Sequence, residues 1–290
     1  MEKRSENKRQ AAGSNRAFIL ALLGAVFVSA AAILFFQGIM GLPKESGRNV
    51  AKNAPKSSSV AGKKADSKTV RIMANGDLLY HDGLYMSAQK TDGSYDFSEN
   101  FTYVKDWLQQ GDLVLGDFEG TIRPDYPLGG YPLFNAPEAV VPAIKDAGYQ
   151  VVDLAHNHIL DSGLEGVFTT AKAFEDHGIS PVGVYTHKNR DKSPILIKEV
   201  KGIKIAILAY SYGFNGLESN LSQKEIDHHL STFDEEKMKA EIKQAEKEAD
   251  ITVVMPQTGV EYQLEPNEEQ VELYHKMVDW GADIIFGGHP

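Results

Sequence analysis

The sequence contains no cysteine among its 290 residues. That excludes a disulfide framework, a thiolate zinc site, a cysteine nucleophile and a cysteine-linked lipid anchor. Tryptophan is scarce, with two residues, and no stretch repeats at a fixed period, which excludes solenoid and propeller arrays. Basic charge is scarce where nucleic acid would need it. Residues 69–290 carry 18 Lys/Arg against 36 Asp/Glu, whereas residues 1–68 carry 12 against 4. Sequence-independent binding to nucleic acid displaces counterions with basic surface, so no nucleic-acid partner is expected of the acidic part. The length still leaves ample chain for a buried core.

What is present begins with Lys3, Arg4, Lys8, Arg9 and Arg16. They precede Ala17–Met40, a run of 24 residues without a charge. As a helix it would span about 36 Å at 1.5 Å per residue, more than the roughly 30 Å of bilayer hydrocarbon. A cleavable secretory signal would carry a shorter apolar region, of about 7–15 residues. The expectation is a basic cytoplasmic tail (1–16) and a single-pass transmembrane anchor in the cell membrane (17–42). By the positive-inside rule the main domain is then extracellular. Residues 43–68 mix Lys, Ser, Ala, Gly and Pro with no apolar face, the composition of a flexible linker.

From Thr69 onward the pattern is globular. Val70–Ala74, Asp112–Leu115, Val151–Leu154, Ile251–Met255 and Asp283–Phe286 read as strands. Phe97–Gln110, Pro137–Ala147, Leu164–His177, Asp234–Glu248 and Pro266–Trp280 read as helices. Gly178 closes one of them, and Asp234 is a plausible N-cap for another. Ile195–Val200 and Ile203–Tyr210 flank Lys201-Gly202, a hairpin signal. Strands alternating with helices indicate an α/β fold with sheets covered by helices. Trp107 and Trp280 are expected in the core, and His228-His229 on a solvated face. The loop from Tyr126 to Phe134, with Asn135 after it, is a candidate cleft wall.

The chemically capable residues follow the short apolar strands. Gly76-Asp77 follows the first. Asp117-Phe-Glu119 follows the second, with its two carboxylates on one side of an extended segment. His156-Asn157-His158 and Asp161 follow the third. Gln257 and Glu261 follow the Val253-Val254 strand, and Gly287-Gly-His289 the last. Ligands of open α/β sheets bind beyond the carboxyl ends of strands. Hard oxygen and imidazole donors gathered there suit one or two divalent cations. His158 and Asp161 are three apart, so a helical turn brings them together, and the carboxylate then fixes the imidazole tautomer.

Asn157-His158 with Asp161-Ser-Gly163, Gly76-Asp77 before it and Gly-Gly-His289-Pro290 after it resemble the CapA family, the poly-gamma-glutamate capsule biosynthesis branch of the calcineurin-like metallophosphoesterases. The resemblance covers about residues 69–290. It implies a two-layer β-sandwich flanked by helices with a two-metal centre in its loops. The divalent ions would be Mn, Fe or Zn. By position, Asp77, Glu119, Asn157 and His289 would be metal ligands, and His158, supported by Asp161, the catalytic histidine. Asp117, His156, Gln257, Glu261 and His81 are further possible site residues. Two ions about 3.5–4 Å apart would then promote in-line attack on phosphorus. The resemblance also implies partners: the membrane, an anionic capsule or envelope polymer, and other capsule-synthesis membrane proteins.

Three departures stand against this pattern. Leu79 occupies the superfamily's first histidine position, and Gln257 occupies another. The closing motif, normally Gly-His-His-Pro-His, reads Gly-Gly-His-Pro at the last residue, so the domain is expected to be C-terminally truncated. The runner-up expectation is a non-catalytic accessory subunit that keeps the fold.

Overall fold

The structure is a computed structural model that describes residues 68–186 and 195–289. The expected tail, anchor and nearly all of the expected linker lie outside the described residues. Among the described residues, no helix is long and apolar enough to cross a membrane.

Two four-stranded sheets form the framework. The first is all parallel and runs in the order β1 (Ile72–Asp77), β2 (Leu113–Asp117), β3 (Val151–Asp153), β4 (Ser180–Val182). The second runs β5 (Leu196–Val200), β6 (Ile203–Ser211), β7 (Ile251–Gln257), β8 (Ile284–Ile285). Only β5 is antiparallel to its neighbour. The β5–β6 hairpin turns at Lys201 (φ 53) and Gly202 (φ 76). Two successive positive φ values define the type I′ turn that matches strand twist.

Alternation along the strands sorts their side chains into layers. Leu113, Leu115, Val151, Ile205, Ile207 and Val253 form one cluster that draws on both sheets. The intervening residues face outward onto helices. Val114 and Val152 join Ile144 of α3 (Val140–Ala147) and Phe174 of α4 (Gly163–Asp176). Leu208 and Val254 join Ile242 of α6 (Glu235–Glu248) and Met277 of α7 (Glu268–Trp280). The layering is therefore helix, sheet, sheet, helix, as expected of a flanked sandwich.

Helix ends follow local chemistry. Asp234 caps α6 through the amide of Lys237 at 3.1 Å. Asn267 and Gln270 form a reciprocal capping box on α7. Gly148, in a left-handed conformation, ends α3.

Several expectations need correction. Phe97–Gln110 is not one helix but a 3-10 turn (Ser98–Phe101) followed by the single turn of α2 (Lys105–Leu108). Its apolar residues split between inside and outside: Phe101 and Leu108 are buried, while Trp107 is 67 % exposed and is not core. Trp280 is buried as expected. His229, at the end of α5 (Gln223–His229), is also buried. Its Nδ1 lies 2.8 Å from the Tyr185 carbonyl and its ring packs on Phe168. The short helix α1 (Asp82–Ala88), α5 and strand β4 had no clear periodic signal in the sequence.

Candidate functional site

In-register pairing brings three aspartates to one rung of the first sheet. Asp77 is the partner of Asp117, and Asp117 is the partner of Asp153. A register irregularity between Ala74 and Asp77 sets the first of them, the kind of local kink that re-aims a side chain. Neighbouring strands lie about 4.8 Å apart, so three carboxylates stand in a row. Asp117 and Asp153 are buried at 3 % and 2 % exposure, whereas Asp77 lies at the exposed rim. Glu119 is buried close enough to Asp77 for the two carboxyls to act on each other.

This acid cluster is electrostatically costly without a cation. Burial, and then the charges of Asp77 and Asp117, push the Glu119 carboxyl up to about 9. Burial, with Asp153 and Asp77 adding to it, holds Asp117 well above the usual carboxylate range. Burial raises Asp153 likewise. Among the described residues, no Lys or Arg contributes to any of these shifts.

The third strand's loop delivers the histidine. His158 Nδ1 lies 2.7 Å from Asp161 Oδ2, and that same oxygen accepts the Phe134 amide at 2.6 Å. A carboxylate only accepts, so Nδ1 carries the proton and Nε2 presents its lone pair. Nε2 faces Glu119 Oε1 at 3.9 Å. The contact forms in the turn before α4 rather than inside the helix. Phe134 packs edge-on against His158 on one hand and His81 on the other.

The second sheet contributes neutral groups. Gln257 is fully buried, and its Oε1 accepts from the Asn157 amide at 2.7 Å and from Ser211 Oγ at 3.3 Å. Its Nε2 donates to Asn157 Oδ1 at 3.1 Å. Gly288 pairs with Gln257 and leads into His289. A Cβ at Gly288 would come 2.9 Å from Asp117 Oδ2, so only glycine leaves that carboxylate room. His289 Nε2 lies 3.4 Å from the Tyr212 hydroxyl and 3.8 Å from Glu261. Burial lowers its pKa, with Glu261 and Asp77 opposing. A cleft of about 430 Å³ opens beside Asp77 and His289, walled by Gln263, Gln270 and Tyr274.

Asp77, Glu119, Asn157, His158, Asp161, His289 and Asp117 are thus gathered at one edge of the sandwich. Glu261 is exposed at its rim. Three other sequence candidates sit differently. His156 is turned into the interior, where its Nδ1 accepts the His158 amide at 3.2 Å. Burial, and then the charge of His158, lowers its pKa, so it remains a neutral strut. His81 is exposed against Phe134. Asn135 is buried and ties down its own loop through the carbonyls of Arg123, Tyr126 and Pro127. Sequence reading missed Asp153, Ser211, Tyr212 and Asn215. Asn215 contacts Asn157 Nδ2 at 3.3 Å and His158 Nδ1 at 3.4 Å. Ser211, Tyr212 and Asn215 lie at or shortly after the carboxyl end of β6, where the rule that found the others applied as well, whereas Asp153 sits inside an apolar run and only its register places it here.

The donor set suits divalent cations. Buried Asp117 Oδ1 and Glu119 Oε2 have no hydrogen-bond partner, and Gly288 leaves a cradle beside the first of these carboxylates. Among the described residues no three His, Asp or Glu side chains already converge on one point, so holding an ion requires the carboxylates to turn.

Comparison with known proteins places the chain. The profile of the family described as "Bacterial capsule synthesis protein PGA_cap" matches residues 71–290. The chain belongs to this family. It is 33 % identical over 198 residues to "Capsule biosynthesis protein CapA" of Bacillus anthracis, covering 66 % of this chain and 47 % of that protein. It is 31 % identical over 194 residues to "PGA biosynthesis protein CapA" of Bacillus subtilis (strain 168), covering 66 % and 50 %. The chain therefore spans about half the length of these curated relatives. The family match takes in every residue of the acid rung, the His158–Asp161 pair and His289.

Proposed function

We propose that the chain is a membrane-anchored, extracellular protein of capsule biosynthesis whose site is a metal-dependent, phosphoesterase-type hydrolase centre on a metallophosphoesterase-like sandwich. The polymer would be poly-gamma-glutamate or a similar anionic chain. Its partners would be the membrane and other capsule-synthesis membrane proteins. The observation that carries this reading is the His158–Asp161 pair beside an uncompensated carboxylate cluster, with Nε2 facing Glu119.

Two divalent ions, Mn, Fe or Zn, would be held by Asp77, Asp117, Glu119, Asn157 and His289. When bound they supply positive charge that neutralises phosphoryl oxygens and activates water. The chain's own residues do the rest. Asp161 holds the His158 ring in one tautomer, so Nε2 is free to accept or return a proton at the leaving oxygen. Phe134 packs at right angles against that ring and helps to hold it in place. Gln257 fixes the Asn157 backbone, which sets the direction of the loop.

A second reading is a non-catalytic accessory subunit. It is favoured by Gln257 Nε2, which occupies Asn157 Oδ1, the oxygen that ligation would use. Elemental analysis of the full chain, with hydrolysis of an aryl phosphate mono- or diester, decides between them. About two bound ions and a hydrolysis lost in Asp77→Ala support the enzyme. Folded protein that binds no metal and hydrolyses nothing supports the subunit.

A further inference from the structure

Asp153 has no role in the centre as described above, yet it is the most deeply placed carboxylate of the rung. It follows Val151 by two residues and so points into the space between the sheets. There it lines a cavity of about 250 Å³ together with Asn75, Asp117, Met255, Phe286 and Gly288. One oxygen, Oδ1, accepts the Ala155 amide at 2.7 Å; no described residue bonds Oδ2. Asp117 Oδ1 and Asn75 Oδ1 are buried beside the same cavity without partners. A purely structural aspartate would need one acceptor oxygen here, and an asparagine or serine would provide it without the second negative charge. Three oxygen donors around a cavity, two of them orphaned, point to a ligand that accepts electron pairs.

We propose that Asp153 is a further ligand of the centre, and that with Asp117 and Asn75 it makes an oxygen-rich seat at its inner end for a hard divalent cation, Mg²⁺ or Mn²⁺. This rests on the metal reading given under the proposed function and moves it toward harder cations. Carboxylate and amide oxygens suit Mg²⁺ and Mn²⁺, whereas imidazole and thiolate favour zinc and iron. The chain has no thiolate, and Leu79 and Gln257 stand where imidazoles were expected. The inner end of the site is therefore all oxygen, with His289 as the imidazole at its outer edge.

The test uses the full chain stripped with EDTA and titrated with Mn²⁺ alone, followed by calorimetry and by loss of the free Mn²⁺ resonance signal. Asp153→Asn keeps an oxygen for the Ala155 amide and removes the charge; Asp153→Ser does the same with a hydroxyl. Each variant is expected to bind Mn²⁺ about ten- to a hundredfold more weakly, and to melt, metal-free, no lower than the unaltered chain. Millimolar Mg²⁺ is expected to compete with Mn²⁺. Unchanged Mn²⁺ affinity in both variants would show that Asp153 only holds Ala155, and would overturn the proposal while leaving the metal centre standing. Failure of both variants to fold without metal would overturn it too, since the charge would then serve the fold. Failure of Mg²⁺ to compete would overturn the hard-cation assignment. An unaltered chain that binds no Mn²⁺ at all would bring down the metal reading itself, before any variant is compared.

Discussion

The two sheets end in opposite ways. The carboxyl edge of the first is acidic: Asp77, Asp117 and Asp153 share a rung, and Glu119 follows. The carboxyl edge of the second is neutral: Ser211 and Gln257 are registered partners, and Gly288 continues beside them. Both edges carry buried polar groups, but only the second satisfies them internally. Gln257 engages two donors and one acceptor, whereas Asp117 and Glu119 each keep an orphaned oxygen. Buried polar groups are normally paired. The fold pairs one edge and leaves unpaired acceptors on the other, the edge at which the proposed function seats its cations.

The most damaging way to break this contrast is to remove the pairing. Gln257→Leu keeps the approximate volume but strips the Asn157 amide and Asn157 Oδ1 of their partner. Each buried group left unpaired costs about 1–3 kcal/mol, so a loss of about 3 kcal/mol is expected in denaturant unfolding. A loss below about 1 kcal/mol would mean that the amide network is replaceable by water.

The acid edge should respond in the opposite sense. Glu119 is neutral in the metal-free fold up to a pKa of about 9 and ionises in the unfolded chain near its ordinary value. The folded state therefore binds the extra proton between about pH 5 and 9, and its stability falls as pH rises through that window. Glu119→Gln removes the titrating proton. It is expected to make the pH course shallower, with the raised Asp117 and Asp153 still contributing, and to raise metal-free stability at pH 8 by about 2 kcal/mol, since the unfolded chain no longer gains by ionising at this position. Each 1 kcal/mol moves the melting temperature of a domain this size by about 2–4 °C, so thermal melts across the window read the effect directly. A flat course in the unaltered chain would show that the cluster is already compensated.

How much of this was legible in the sequence follows the same division. The strands were legible because their apolar runs are short and bounded by polar punctuation, and the hairpin because Lys201-Gly202 meets a turn requirement. Asp77, Glu119, Asn157, His158 and His289 were legible because each immediately follows such a run. Asp153 was not, because it completes the apolar run Val151–Leu154 and reads as a strand residue; only register with Asp117 shows that it belongs to the rung. Gln257 stands in an imidazole's place in the family pattern, and nothing local reveals that its partner is 100 residues away in sequence. Trp107 falls outside the core because helical spacing presumes a regular helix, and the segment breaks into two turns.

The mildest change sharpens the contrast within the neutral edge itself. Asn215 lies at its exposed end, with φ 53; its Oδ1 accepts from Asn157 Nδ2 at 3.3 Å and its Nδ2 lies 3.4 Å from His158 Nδ1. A long bond at the rim contributes little, and the left-handed backbone is one that asparagine and glycine adopt with small strain. Asn215→Gly keeps the backbone and removes the amide, so its stability is expected to stay within about 0.5 kcal/mol of the unaltered chain. Asn215→Ala removes the same amide and adds the cost of a Cβ in the left-handed region, about 1 kcal/mol. The difference between the two variants isolates the backbone from the side chain. If glycine proved as costly as alanine, the amide at the rim would be holding Asn157 and His158 as firmly as Gln257 does from below, and the neutral edge would be a clamp along its whole length.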